Sequence, residues 1–208
     1  MAKNILLSAV ALMMILCCVQ HAGAQQLPTA GTKTFEITMS PMANVPVTFN
    51  EVRFRSFRSH DSALRLRTSL YYESDRFDEN TRDTWFQMEI APGKEWHFLQ
   101  NERISAYYGA EIPIQYATSR QHREDAAGNT WTNKNNQGGE FFGIGLSAVA
   151  GLDVHFLDFL YGGVEVYYML VFRSGLDGEV NNVTFDNDGR ELVFGTAQLG
   201  RFRFGIKF

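Results

Sequence analysis

The sequence is poor in the residues that cross-link or interrupt a fold. It has 208 residues but only two cysteines and five prolines. Both cysteines, Cys17 and Cys18, lie in an apolar N-terminal segment, so a chain that loses this segment can form neither disulfides nor thiolate zinc sites. After that segment, no run reaches the roughly 18 apolar residues that a membrane-spanning helix needs. A disulfide scaffold, a thiolate metal site and a helical membrane bundle are therefore excluded.

The N-terminal segment has the three parts of a secretory signal peptide. Lys3 supplies the positive start, residues 5–19 are the apolar core, and Ala22-Gly23-Ala24 is a small-residue cleavage site. We predict that residues 1–24 are removed on export and that residues 25–208 form one domain, since their length suits a single domain.

The charge balance argues against polyanionic partners. Residues 1–24 contain one lysine, so their removal leaves 18 basic residues (19 minus one) against 23 acidic ones, a net charge near −5. An acidic chain of this kind does not have the composition of a nucleic-acid or polybasic membrane-surface protein. We predict no nucleic-acid partner.

Alternation of apolar and polar residues dominates the rest of the chain. It is clearest in residues 104–115, 142–156 and 163–170, where apolar side chains occupy every second position. Such a pattern places the two kinds of side chain on opposite faces of a strand. Six to eight successive alternations exceed the five or six residues of a mean strand in a globular sheet and are typical of strands that cross a membrane.

The pattern predicts eight strands, at about 33–40, 48–58, 62–73, 84–98, 103–117, 140–155, 161–173 and 191–208. Short connections (58–61, 99–102 and 157–160) alternate with long polar ones (74–83, 118–139 and 174–190). Pro92 cannot donate to a ladder, so we predict a bulge at Ala91-Pro92-Gly93. The alternative, a tight hairpin there, would make the number of strands odd. The sequence therefore predicts an all-β fold, a transmembrane antiparallel up-and-down β-barrel of eight strands with short periplasmic turns and long extracellular loops.

The last predicted strand carries a family resemblance. Residues 198–208, Gln-Leu-Gly-Arg-Phe-Arg-Phe-Gly-Ile-Lys-Phe, alternate apolar residues up to Phe208. This resembles the signal by which the outer-membrane assembly machinery recognises its barrels, with Phe204, Ile206 and Phe208 in the apolar positions. With the signal peptide, the chain resembles the small eight-stranded outer-membrane β-barrels of Gram-negative bacteria (OmpA/OmpX-like). The resemblance implies a location in the cell outer membrane, in contact with its lipid, but it hardly specifies an activity.

The face opposite the apolar one predicts the contents of the barrel. It carries seven basic and six acidic groups: Arg53, Arg55, Arg65, Arg67, Arg201, Arg203 and Lys207, with Glu36, Glu89, Glu95, Glu111, Asp153 and Glu165. An eight-stranded barrel is just wide enough to be filled by side chains, so these groups are expected to pair and close the lumen. An ion-selective pore is the alternative.

No pattern of residues indicates catalysis, a metal or a cofactor. The histidines do not line up with a nucleophile and an orienting group as acyl-transfer chemistry requires. Residues 186–189, Asp-Asn-Asp-Gly, resemble a fragment of a calcium loop but lack its remaining ligands, and a side-chain-stabilised turn explains them. We predict that the protein is not an enzyme and has no catalytic, metal or cofactor site.

Function then depends on the extracellular loops. Trp131 lies in the polar loop 118–139, and tryptophan is enriched at the energetic centres of binding surfaces, although it also serves as a membrane-interface residue. We predict a structural or adhesive barrel, or an accessory subunit of an envelope complex, that contacts a protein partner through its loops. A narrow porin-like channel for small solutes or ions is the second hypothesis, and a lipid-modifying outer-membrane enzyme is the third.

Overall fold

A computed structural model describes residues 27–39, 49–77, 80–101, 103–124, 127, 130–135, 139–180, 183–196 and 201–208. The predicted signal peptide lies outside these residues. No helix in the described part of the chain has the length and apolar character needed to cross a membrane.

The described chain is built from thirteen β-segments in one antiparallel sheet. They are β1 (Lys33–Met39), β2 (Phe49–Ser59), β3 (Ser62–Arg76), β4 (Thr81–Gln100), β5 (Ile104–Glu111), β6 (Ile114–Glu124), β7 (Thr130–Lys134), β8 (Phe141–His155), β9 (Leu160–Gly175), β10 (Gly178–Val180), β11 (Val183–Phe185), β12 (Arg190–Thr196) and β13 (Arg201–Lys207).

Pairing of these segments closes a ring of eight barrel strands. β5 and β6 form one barrel strand, because both pair with β4 on one side and with β8 on the other. β12 and β13 form another, because both pair with β9. β13 then pairs with β1, which joins the last barrel strand to the first. The predicted fold class and the even number of strands are confirmed.

The predicted bulge at Pro92 is wrong, and so is the alternative hairpin. β4 keeps one register with β3 through Leu66↔Pro92, and its register with β5 and β6 is the same on both sides of the proline. The Pro92 carbonyl still accepts a hydrogen bond from the Ile112 amide at 2.9 Å. A single proline removes one donor from the ladder, and here that loss does not shift the chain.

The strands extend further outward than their apolar pattern predicted. β3 reaches Arg76 and β6 reaches Glu124, seven residues beyond its predicted end, and β7 pairs with β6 within the predicted loop 118–139. These extensions are mostly polar, and residues 74–76 of β3 and 122–124 of β6 are exposed, as side chains outside the membrane can be. The apolar alternation therefore ends before the backbone pairing does.

The connections at the other end of the barrel are tight. At the Ser59–Ser62 turn, the Ser59 hydroxyl donates to the Asp61 carboxylate, which lowers the pKa of that carboxyl. In the long connection 174–190, at the opposite end, the Gly189 amide donates to the Asn187 side-chain oxygen at 3.1 Å, which is the side-chain-stabilised turn that the sequence predicts.

Candidate functional site: the charged lumen

The pleat of the strands separates charge from apolar surface. Arg53 and Arg55 of β2 and their cross-strand neighbours on β3, Arg67 and Arg65, are buried inside the ring. Leu64, which directly precedes Arg65 in sequence, is 41% exposed on the outer face. Further outward-facing apolar residues are Leu66, Ile144, Leu146, Val164 and Val166. A one-residue shift of register would exchange the two faces, so this alternation fixes the register of the barrel.

Arg55 is the centre of the group of charges nearest the periplasmic end. Its guanidinium lies 2.5 Å from Glu36, 2.9 Å from Glu95 and 2.8 Å from Asp153. Arg203 contacts Glu36 and Asp153 as well, each at 2.7 Å. These five fully buried groups come from five different barrel strands, so the ion pairs tie the ring together across its width.

Glu165 is the centre of the next group. It forms ion pairs with Arg53 and with Arg65, the latter at 3.1 Å. The Tyr107 hydroxyl donates to the same carboxylate. Arg65 also lies 2.7 Å from Glu111. A carboxylate that accepts from two guanidinium groups and a phenol has its hydrogen-bonding capacity well used, which is what a buried charge requires.

Arg67 organises the group nearest the extracellular end. It pairs with Glu111 at 2.8 Å, with Glu51 at 3.3 Å and with Glu89. Arg201 forms an ion pair with Glu51. The ring of Tyr167 lies beneath both guanidinium groups, with centroid distances of 5.0 Å to Arg67 and 4.3 Å to Arg201, so each cation also meets an aromatic face.

Aromatic side chains fill the lumen below the charges. Phe57, Tyr161, His97 and His155 are buried, and the His97 ring lies 5.3 Å from that of Phe57, as the His155 ring does from that of Tyr161. The Arg55 guanidinium lies over the rings of Phe57 and Tyr161. In the described part of the chain, aromatic rings fill one end of the lumen, and three connected groups of ion pairs fill the rest.

Six arginines and seven carboxylates take part in these described ion pairs. The sequence reasoning missed Glu51, although it shares the inward parity of Arg53 and Arg55 on β2. Lys207, which we expected in the lumen, is only half-buried near the end of β13. Among the residues that the structure describes, no three His, Cys, Asp or Glu side chains are placed to hold a metal ion.

Lumenal glycines give the bulky side chains their space. A Cβ built on Gly151 would overlap the phenol of Tyr107, and one built on Gly205 would overlap that of Tyr161. Close packing of this kind means that even one added methyl group must displace a buried ring.

We therefore expect Gly151→Ala to destabilise the barrel by about 1–3 kcal/mol, the usual cost of overpacking a filled interior. Urea unfolding of the refolded barrel in detergent measures the effect. Gly195→Ala is the matched control, because a Cβ at Gly195 has no atom within 4 Å. Equal unfolding midpoints for the two variants would contradict a tightly packed lumen.

The other predicted site residues lie apart from the lumen. Phe204, Ile206 and Phe208 are exposed on the outer face of the barrel, on or just beyond β13. Trp131 lies in β7, opposite Arg123 of β6, and is half-buried. It belongs to a hairpin and not to the irregular exposed loop that the sequence predicted.

The chain is similar to one described protein family and to several solved structures. Residues 76–170 match the model of the OmpA-OmpF-like porin family. No curated protein matches the sequence. The attachment invasion locus protein Ail of Yersinia pestis is similar in structure, with 10% identity, a TM-score of 0.41, and coverage of 85% of this chain and 95% of Ail. The β-barrel domain of Pseudomonas aeruginosa OprF has 13% identity, a TM-score of 0.36, and coverage of 87% of this chain and 100% of that domain.

Neisserial surface protein A has 11% identity, a TM-score of 0.32, and coverage of 85% of this chain and 93% of its own. The outer face of the ring is apolar, as a membrane demands, and its inner face is charged. The closed eight-stranded ring and its apolar outer face give the chain the architecture of a small outer-membrane β-barrel, and the family match covers 95 of its 208 residues.

Proposed function

We propose that this barrel does not conduct and that it acts as a structural or adhesive protein, or as an accessory subunit of an envelope complex. The observation that carries the proposal is the continuous set of buried ion pairs across the lumen, from Arg55 through Glu165 to Arg67. Each guanidinium is held by carboxylates of other strands. A passing ion would have to break several of these contacts at once.

Planar-bilayer recording of the refolded wild-type protein tests this proposal. No steady conductance is expected, because eight strands leave a lumen that side chains fill. A steady single-channel current would overturn the closed-lumen proposal and support the second candidate, a narrow channel, which is favoured by the match to a porin family. Protein refolded in the same way but heat-denatured before addition controls for leakage of the bilayer itself.

The extracellular hairpins are the proposed contact surface for a protein partner. β6 and β7 pair from Arg120↔Lys134 to Glu124↔Thr130, so this part of the chain is an ordered surface and not a loose loop. Trp131 supplies a large aromatic side chain there, and such residues are enriched at binding hot spots. Trp131→Ser is expected to abolish co-purification of a partner from gently solubilised outer membranes. Trp85→Ser, a tryptophan of β4, is the matched control.

We also propose that the protein is not an enzyme. Support comes from the use of its buried titratable groups, since the described arginines and carboxylates of the lumen hold one another across the ring. Mass spectrometry of the outer-membrane glycolipid from cells with and without the protein tests this. A shift in acyl composition would favour the lipid-modifying hypothesis instead.

A further inference from the structure

A groove of about 900 Å³ lies outside the barrel wall at its extracellular end. Its lining comes from β3, β4, β6 and β7 and includes Arg76, Arg82, Arg120, His122 and Lys134. All of these residues have even numbers on strands whose odd-numbered residues face the lumen further down. The groove is therefore on the outward face, separate from the charged interior.

Strand register gathers the four cations Arg76, Arg82, Arg120 and Lys134, together with the imidazole of His122, into two adjoining rows. Arg82 lies opposite Arg76 on one side and His122 on the other. One row below, Arg120 lies opposite Thr84 and Lys134. Cross-strand neighbours on one face are about 5 Å apart, so their positive charges act on the same small volume.

Of the described acidic side chains on β3, β4 and β6, Glu124 alone shares the outward parity of the cations, and it does not line the groove. On β3 and β4, Glu73, Asp75 and Asp83 occupy odd positions, which are on the opposite face of the sheet. Glu179 of β10 reaches Lys134 at 3.4 Å but contacts neither Arg82 nor Arg120 in the described ion pairs. This surface is therefore locally positive, although the whole chain has a net negative charge.

The groove opens directly above the apolar band of the barrel. Tyr72, Phe86 and Tyr116 form its lower lining. One row nearer the membrane, Leu70 is 61% exposed, and Ile90 and Ile114 are exposed below it. A ligand seated here would place a polar head among cations and an apolar tail along the barrel wall. Aromatic residues at this level are typical of the membrane interface.

We propose that this groove binds the phosphorylated headgroup of an outer-leaflet glycolipid, whose acyl chains lie against Leu70 and Ile90. Arg82 and Arg120 are the principal phosphate contacts, because guanidinium groups match phosphate geometry with two parallel hydrogen bonds. Interfacial cations attract anionic lipid through the same charge complementarity. The inference rests on the outer-membrane location and not on the closed lumen. Failure of the closed-lumen proposal would therefore leave this inference unaffected.

Native mass spectrometry of the refolded full-length barrel in detergent tests the inference. Diphosphorylated lipid A is the probe, and the same glycolipid without its phosphates is the comparison. Arg82→Ser/Arg120→Ser is expected to bind the phosphorylated probe about 10- to 30-fold more weakly, since each interfacial cation near anionic lipid is worth about fivefold in affinity. Arg82→Lys/Arg120→Lys keeps both charges but loses the bidentate hydrogen bonds, so its affinity should lie between those of the wild type and the serine variant.

The control variant is Arg58→Ser/Arg123→Ser, which removes the same charge at exposed positions outside the groove. It is expected to bind as the wild type does. Equal losses in the two serine variants, or equal retention of the phosphate-free glycolipid, would overturn the inference. Displacement of lipid A by inorganic phosphate at equal concentration would also overturn it, because it would show a site for free anions and no role for the acyl chains.

Discussion

Replacing Arg65 and Arg67 by serine is expected to lower the free energy of unfolding by about 3–5 kcal/mol, because it leaves buried carboxylates without their cations. The structure shows where the loss falls. Glu165 keeps Arg53, and Glu51 keeps Arg201. Glu111 loses both of its described ion-pair partners, which lie 2.7 and 2.8 Å away. Glu89 loses its described partner Arg67 but keeps the hydrogen bond from the Gln115 amide.

Urea titration of the refolded barrel, followed by its heat-sensitive mobility in gels, measures this change. Arg58→Ser/Arg123→Ser removes two exposed arginines and is expected to change stability by less than about 1 kcal/mol. The informative third variant adds Glu111→Gln to the double serine variant. Glu111→Gln removes the negative charge that has lost both of its cations, so it should restore part of the lost free energy of unfolding.

These variants separate electrostatics from packing. If shortening the two side chains acted only through lost volume, Glu111→Gln would recover nothing, and that result would contradict the ion-pair account. The double serine variant is also expected to admit small cations in planar bilayers. Its unpaired carboxylates must draw in water to satisfy their hydrogen bonds.

Much of this arrangement follows from the parity of residues along each strand. Arg53 and Phe54 must face opposite sides, and only one assignment spares the membrane a row of arginines, whose cost near its centre is about 2–4 kcal/mol each. The same rule places Glu51 in the lumen, so its omission was avoidable. Parity also survives Pro92, because a ladder that loses one donor keeps its register.

The sequence pattern does not predict which lumenal arginine forms an ion pair with which carboxylate. Arg55 meets Asp153, which is 98 residues away and on the opposite side of the ring, four strands from it in either direction. That contact depends on the stagger of the closed ring and on side-chain length, neither of which shows in an alternation pattern. The same holds for the external groove, whose cations come together because β3, β4 and β6 stay paired beyond their predicted ends and β7 adds Lys134.

A second large effect is expected at the strand that closes the ring. Phe208→Asp should lower the amount of folded protein in the outer membrane severalfold, because we propose that the apolar outer face of β13, with Phe204, Ile206 and Phe208, is read by the assembly machinery. The Phe208 backbone pairs with Lys33 through hydrogen bonds of 2.9 and 3.0 Å, but its side chain is 67% exposed. The substitution therefore removes little packing within the barrel.

Phe98→Asp is the matched control, since Phe98 is 68% exposed at the periplasmic end of β4 and outside the proposed signal. Quantitative blots of outer-membrane fractions should show a much smaller loss for it, and Phe208→Leu should insert normally. Refolding into detergent needs no machinery, so Phe208→Asp should refold there as the wild type does. If Phe208 acts through recognition by the machinery, the loss will occur in cells and not in detergent. Equal failure of Phe208→Asp in cells and in detergent would show instead that Phe208 stabilises the folded barrel.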